Sequence, residues 1–157
     1  ISNNKTAYGI KYAKKNKIKI KIFDFTKKHE INHLLKILKF NNIKLICLAG
    51  FLKILSKNFI KSFNGIIINI HPSLLPKYKG LNTHKRVLEN GEKLTGCTVH
   101  VVTPELDCGR ILGQATVPVL PNDTVESIRL RVLEKEHILY PRTLEQFCLG
   151  RSDLVTM

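Results

Sequence analysis

The sequence predicts an α/β fold whose sheet is mostly parallel and turns antiparallel toward the C-terminus. Two short apolar runs, Leu45–Ala49 and Ile66–Ile70 with its single Asn69, alternate with helix-spaced segments, as the strands of a parallel sheet do. Two longer runs, Leu94–Val102 and Ile111–Val119, follow one another across the short connection Thr103–Arg110 and read as an antiparallel pair. With 157 residues and no linker between these elements, the chain is expected to be one domain.

The elements follow in order. Residues 6–16 form a Lys-rich amphipathic helix. Ile18, Ile20 and Ile22 alternate with lysine, the pattern of a half-exposed strand. Residues 28–41 place Ile31, Leu34, Leu35 and Leu38 at helical spacing. The run Leu45–Ala49, ended by Gly50, reads as a strand buried on both faces, with Cys47 as apolar filler. Residues 52–62 are helical, and Ile66–Ile70 is a second buried strand. Pro72, Pro76 and Gly80 make His71–Leu81 an ordered loop. Thr83–Glu89 is a short helix stopped by Asn90-Gly91. A long helix spans about 124–148, with Asp123 as its cap and Glu126 three residues on.

Composition excludes several classes. Apolar residues make up 43% and charged residues 24%, an ordinary globular mixture with no membrane-length apolar run and no solenoid repeat. The net charge of +14 is uneven: residues 1–62 hold 15 lysines against Asp24 and Glu30, so +13 lies there. It is all lysine, without the arginine that bidentate phosphate and base recognition employs. Solvated lysine faces account for it, so no nucleic-acid partner and no membrane are expected. The four cysteines lack a metal or redox spacing, and a reduced, cytoplasmic setting is expected.

Open α/β sheets bind ligands beyond the carboxyl ends of their parallel strands. The loops Gly50–Leu55 and His71–Pro76 stand there. Asn69 and His71, two apart on a strand, project to one side as an amide donor beside an imidazole. Such a pair can stabilise an oxyanion and move a proton, although a capped turn with a satisfied histidine is the commoner origin of Asn-x-His. Asp107, in Glu105-Leu106-Asp107-Cys108-Gly109, would orient the His71 ring if it lies near; a turn aspartate before glycine is the plainer alternative. No HExxH or GxSxG motif occurs, so neither a metal site nor a nucleophile elbow is expected.

Together, Leu48-Ala49-Gly50-Phe51-Leu52-Lys53-Ile54-Leu55, then Asn69-Ile70-His71-Pro72-Ser73-Leu74-Leu75-Pro76 with Asn82-Thr83-His84, then Thr98 through Gly109 resemble the phosphoribosylglycinamide formyltransferase family over about Ile1–Gly150. The resemblance implies a Rossmann-like formyltransferase fold and transfer of a formyl group from 10-formyltetrahydrofolate, the cosubstrate, to the amine of glycinamide ribonucleotide in purine biosynthesis. It makes Asn69 and protonated His71 the donors to the oxyanion of a tetrahedral intermediate, with Asp107 assisting proton transfer. Leu52, Lys53, Ile54 and Leu55, with Asn69, resemble the folate-binding positions, and Glu136 the carboxylate that holds the ribonucleotide amine. Direct transfer is implied, without a metal or an acyl-enzyme.

Where family members often carry arginine, Lys53 stands. The family's first strand and glycine-rich phosphate loop have no counterpart before Ser2-Asn3-Asn4, so a fragment is expected, with weak ribonucleotide binding and slow turnover by itself. Two alternatives stay open: a methionyl-tRNA formyltransferase-like enzyme, and a catalytically silent, Lys-rich nucleic-acid-binding relative. The oligomeric state is not legible in the sequence.

Overall fold

Apolar periodicity and the scarcity of long loops build the chain from five helices and five strands among the described residues. The computed structural model describes residues 1–157 apart from Leu52 and Ser152. Two units result, one of residues 1–43 with 62–64, the other of residues 44–61 with 65–157.

In the first unit, α1 (Tyr8–Lys15) buries Ile10, and α2 (Lys28–Phe40) buries Leu34 and Leu38. Ile31 and Leu35 are half-buried, as flanks of the same apolar stripe. Phe23 and Phe63 complete this small core at 5% and 7% exposure. The strand expected over Ile18–Ile22 does not form. A single parallel bridge joins Ser2 to Ile22, and Ile18 is 59% exposed. Alternating isoleucine and lysine suits a strand, but a strand needs a continuous partner ladder, and here one residue supplies it.

The second unit holds the sheet, in the order β1 (Leu45–Leu48), β2 (Ile66–His71), β3 (Leu94–Val101), β4 (Ile111–Pro118), β5 (Val155–Thr156). β1 and β2 are parallel, β2–β3–β4 antiparallel, and β5 adds a short parallel edge. Between β1 and β2, α3 (Lys57–Ser62) starts later than the predicted 52–62, because Ser56 accepts the Phe59 amide and so begins the turn. β1 is not buried on both faces, and Cys47 is exposed rather than core filler. As an edge strand hydrogen-bonded, among the described residues, to β2 alone, β1 lacks the enclosure that an all-apolar run suggests.

α4 (Thr83–Glu89) matches its predicted bounds, and α5 (Val125–Cys148) packs across β3 and β4. Ile68, Cys97, Val99, Ala115, Ile128 and Leu139, all fully buried, form the centre of that layer. The cap of α5 lies one residue beyond the predicted Asp123. Thr124 is extended and accepts the Ser127 amide, while Ser127 returns a bond to the Thr124 amide. Asp123 instead accepts from the Leu120 amide and pairs with Arg131. Tyr140 of α5 reaches the carbonyls of Leu48 and Ile68 at 2.8 and 3.0 Å, anchoring the helix on the parallel pair.

Candidate active site

β2 carries Asn69 and His71 at its C-terminal end, and the sheet register sets what faces them: His100 opposite Asn69, Thr98 opposite His71. Thr98, fully buried, holds the chain that leaves β2. Its hydroxyl donates to the Ser73 carbonyl at 2.6 Å and accepts from the Leu75 amide at 3.1 Å and from Gln114 at 3.0 Å. The Pro-rich loop is therefore ordered by buried hydrogen bonds rather than by helix or strand, as its composition predicts.

That loop returns over His71. Tyr78, in the left-handed region at φ 56°, directs its carbonyl to Nε2 of His71 at 2.9 Å. Nε2–H therefore donates, since a carbonyl only accepts. The Tyr78 side chain is fixed by its hydroxyl on Glu92 at 2.8 Å and by the Arg86 guanidinium 5.3 Å over the ring.

The β3–β4 connection brings Asp107 to the same place. Its Oδ2 accepts the Gly80 amide at 2.9 Å and stands 3.5 Å from Nδ1 of His71. Its Oδ1 stands 3.6 Å from Nε2 of His100. Asp107 itself has φ 48°, a conformation aspartate tolerates better than most residues. The hairpin's return is tight: a Cβ on Gly109 would lie 1.7 Å from the Val101 carbonyl oxygen, so only glycine passes.

These contacts assign protons. His100, 1% exposed, donates from Nδ1 to the Val101 carbonyl at 3.0 Å, which leaves Nε2 as an acceptor for the Asn69 amide at 3.4 Å. Burial pushes the His100 pKa down, in agreement with a neutral ring. His71 has an oxygen facing each ring nitrogen, the arrangement that a doubly protonated imidazolium satisfies. The site thus combines a neutral histidine, a histidine suited to carry charge, a carboxylate and an amide, nearly all out of water. It can donate to a developing oxyanion and exchange a proton.

Sequence reasoning assembled Asn69, His71 and Asp107, and the structure brings the three together. It did not assign His100, since that residue's role follows from strand register, which a single chain does not display. Of the expected folate positions, Asn69 belongs to this cluster and the others follow β1 in sequence. Leu48 pairs with Asn69, so the loop after β1 leaves the sheet at the same end as His71. On it Lys53 is exposed, Ile54 is 81% exposed and Leu55 is half-buried; Leu52 lies outside the described residues. Among the described residues no hydrogen bond or ion pair links Lys53, Ile54 or Leu55 to the histidine cluster.

Glu136 stands apart on α5, half-buried and without an ion-pair or hydrogen-bond partner among the described residues. Burial raises its pKa to about 6. Burial first, and the Glu136 charge second, push the Cys97 thiol up to about 12. Among the described residues no group of three or more histidine, cysteine or acidic side chains is arranged to hold a metal ion.

A parallel strand pair thus ends in an amide and an imidazole, faced by a loop carboxylate and a second histidine. The chain belongs to the formyl transferase family, whose pattern matches residues 1–144. Its relatives are specific within that family. It is 43% identical over 158 residues to the phosphoribosylglycinamide formyltransferase of Haemophilus influenzae, covering 98% of this chain and 74% of that one. It is 43% identical over 154 residues to the trifunctional purine biosynthetic protein adenosine-3 of chicken, covering 96% of this chain but 15% of that protein. Among solved structures, the phosphoribosylglycinamide formyltransferase of Anaplasma phagocytophilum superimposes with a TM-score of 0.89 at 36% identity, over 99% of this chain and 83% of that one. The Coxiella burnetii enzyme of that name gives 0.85 at 43% identity, over 95% and 72%.

Proposed function

We propose that this chain transfers the formyl group of 10-formyltetrahydrofolate to the amine of glycinamide ribonucleotide, a step of purine biosynthesis. The observation that carries the reading is the cluster of Asn69, His71 and Asp107 in a formyl transferase chain, with Asp107 Oδ2 3.5 Å from His71 Nδ1.

Attack of the amine on the formyl carbon puts negative charge on the formyl oxygen. The Asn69 amide and the His71 imidazolium are donors for that oxygen, and in a dry site each counts for more than in water. For His71 to donate from Nε2, the Tyr78 carbonyl has to yield its 2.9 Å bond. Asp107 balances the imidazolium charge and receives the proton that leaves the attacking nitrogen, the leaving nitrogen of the folate being its destination. The exposed Ile54, with Leu55 beside it, suits an apolar ring at the end of the sheet that holds Asn69. Glu136, half-buried and without a partner among the described residues, suits an amine-bearing ligand whose positive charge would offset the cost of ionising it there.

Small molecules are the partners in this reading, and its setting is the cytoplasm, in keeping with four free cysteines. None of the described helices is long and apolar enough to cross a membrane. The test is an acceptor comparison: 10-formyltetrahydrofolate is supplied with glycinamide ribonucleotide or with methionyl-tRNA, and release of the folate product is followed by absorbance. Release dependent on the ribonucleotide is the expected result. Release with the charged tRNA alone, or with neither acceptor, overturns the reading.

A further inference from the structure

The carbonyl that meets Nε2 of His71 comes from a residue in a strained conformation. Tyr78 has φ 56°, a left-handed backbone that glycine or asparagine adopts more readily than an aromatic residue. Its side chain is what secures it. The hydroxyl donates to Oε1 of Glu92 at 2.8 Å, and Nζ of the preceding Lys77 donates to the same oxygen at 2.9 Å. The Arg86 guanidinium lies 5.3 Å over the Tyr78 ring and donates from Nη1 to the carbonyl of the following Lys79 at 2.7 Å. Lys77, Tyr78 and Lys79 are thus tied to charged side chains of α4 and of the turn behind it. Glu92 is itself fixed in that turn: its amide donates to the Val87 carbonyl at 3.2 Å, and its neighbour Lys93 accepts the Val119 amide at 2.9 Å.

The carbonyl decides where a proton sits. The other ring nitrogen, Nδ1, faces Oδ2 of Asp107 at 3.5 Å, and a carboxylate is the stronger acceptor of the two. A neutral ring with that neighbour alone would turn its single proton to Nδ1 and leave Nε2 bare. A bare Nε2 accepts hydrogen bonds and has none to give a developing oxyanion. With the Tyr78 carbonyl 2.9 Å away, Nε2 keeps its hydrogen and the ring keeps its orientation. In the transfer proposed above, the reacting oxygen displaces that carbonyl and finds a donor already in place.

We infer that Tyr78, anchored by Glu92 and Arg86, is a positioning residue: through its carbonyl it holds the Nε2 proton and the ring orientation of His71. The inference rests on the proposed transfer for its effect on turnover, and on the contacts alone for the proton. It also accounts for a tyrosine at a left-handed position, since the side chain supplies the anchorage that glycine lacks.

The experiment compares the parent chain with Tyr78→Phe, Glu92→Met and Glu92→Gln. Each carries isotope-labelled histidine and is read near neutral pH by proton–nitrogen correlation of the imidazole rings, the His71 signals being those lost in His71→Asn. Nε2 of His71 is expected to carry hydrogen in the parent and in Glu92→Gln, whose amide oxygen still accepts the Tyr78 hydroxyl. In Tyr78→Phe and Glu92→Met its signal moves toward that of an unprotonated nitrogen. In steady-state kinetics these two variants lose about tenfold in kcat with KM for both substrates unchanged, while Glu92→Gln keeps most of the parent rate. The double variant Tyr78→Phe/Glu92→Met is no slower than either single one, because both cut the same link. Unmoved His71 nitrogens in Tyr78→Phe and Glu92→Met, losses that add in the double variant, or a loss confined to KM overturn the inference. The nitrogen signals need no turnover, so a parent chain inactive with glycinamide ribonucleotide counts against the proposed function and not against this positioning.

Discussion

Asp107 touches His71 and His100 with different oxygens, Oδ2 at 3.5 Å from His71 Nδ1 and Oδ1 at 3.6 Å from His100 Nε2, in side chains that are a tenth exposed or less. One carboxylate thus stands between a ring held neutral by burial and a ring offered oxygen on both sides. The consequence for catalysis is direct. His71→Ala or Asp107→Ala should lower kcat about a hundredfold or more, because each removes charge or a donor that acts on the transition state. Steady-state kinetics with both substrates decide it; an unchanged kcat in either variant removes that residue from the mechanism.

Glu136 yields a prediction with two signs. Its pKa is raised from 4.5 to about 6, so the stabilisation it contributes is present below 4.5 and lost as pH rises through about 6. At pH 7.5 Glu136→Gln should therefore stabilise the chain, by on the order of 1 kcal/mol. The same change should raise KM for the ribonucleotide about tenfold while kcat falls less, since a neutral amide no longer pairs with a cationic amine. A variant of unchanged KM would leave Glu136 a structural oddity rather than a ligand.

His100 and His84 make stability fall with acid. Burial is the first cause of the lowered pKa of each, so their contribution is complete above the free-imidazole value of 6.5 and lost as pH falls through the folded values. Between pH 7 and pH 5 these two groups lower the urea midpoint, against the opposite contribution of Glu136 over the same range. His100→Asn, which cannot be protonated, should show a shallower decrease; Glu136 titrates in both chains and cancels in the comparison. Parallel pH profiles for the two would contradict the burial assignment.

Gly109 is the backbone condition for the whole arrangement. Gly109→Ala places a carbon 1.7 Å from a carbonyl oxygen of β3, and backbone cannot yield as a side-chain tip does. A loss of about 2–3 kcal/mol is expected, seen as a lowered Tm, together with reduced transfer because the displaced segment carries Asp107. A Tm within a degree of the parent would show that the connection has more freedom than its contacts imply.

The elements that rest on local pattern were legible in the sequence. Apolar runs and turn residues are short-range signals, so β2, α4, the β3–β4 hairpin and the ordered loop over residues 71–81 follow from composition and spacing alone. What failed did so where a partner decides. Ile18–Ile22 has strand chemistry but meets one residue of a neighbour, Cys47 has core chemistry on an edge strand, and Asp123 lost the cap to Thr124 by one residue of backbone geometry.

The same division runs through the site. By itself the sequence determined which chemical groups exist and their order: Asn69 and His71 two apart on a strand, then a carboxylate before a glycine, in motifs shared with one family. Only the tertiary structure decided that Asp107 meets His71 and that His100 completes the cluster. The reason is physical. Periodicity records which face of an element is buried, whereas a contact such as that of His71 with Asp107, 36 positions apart, depends on register and loop closure, which many chain segments set jointly.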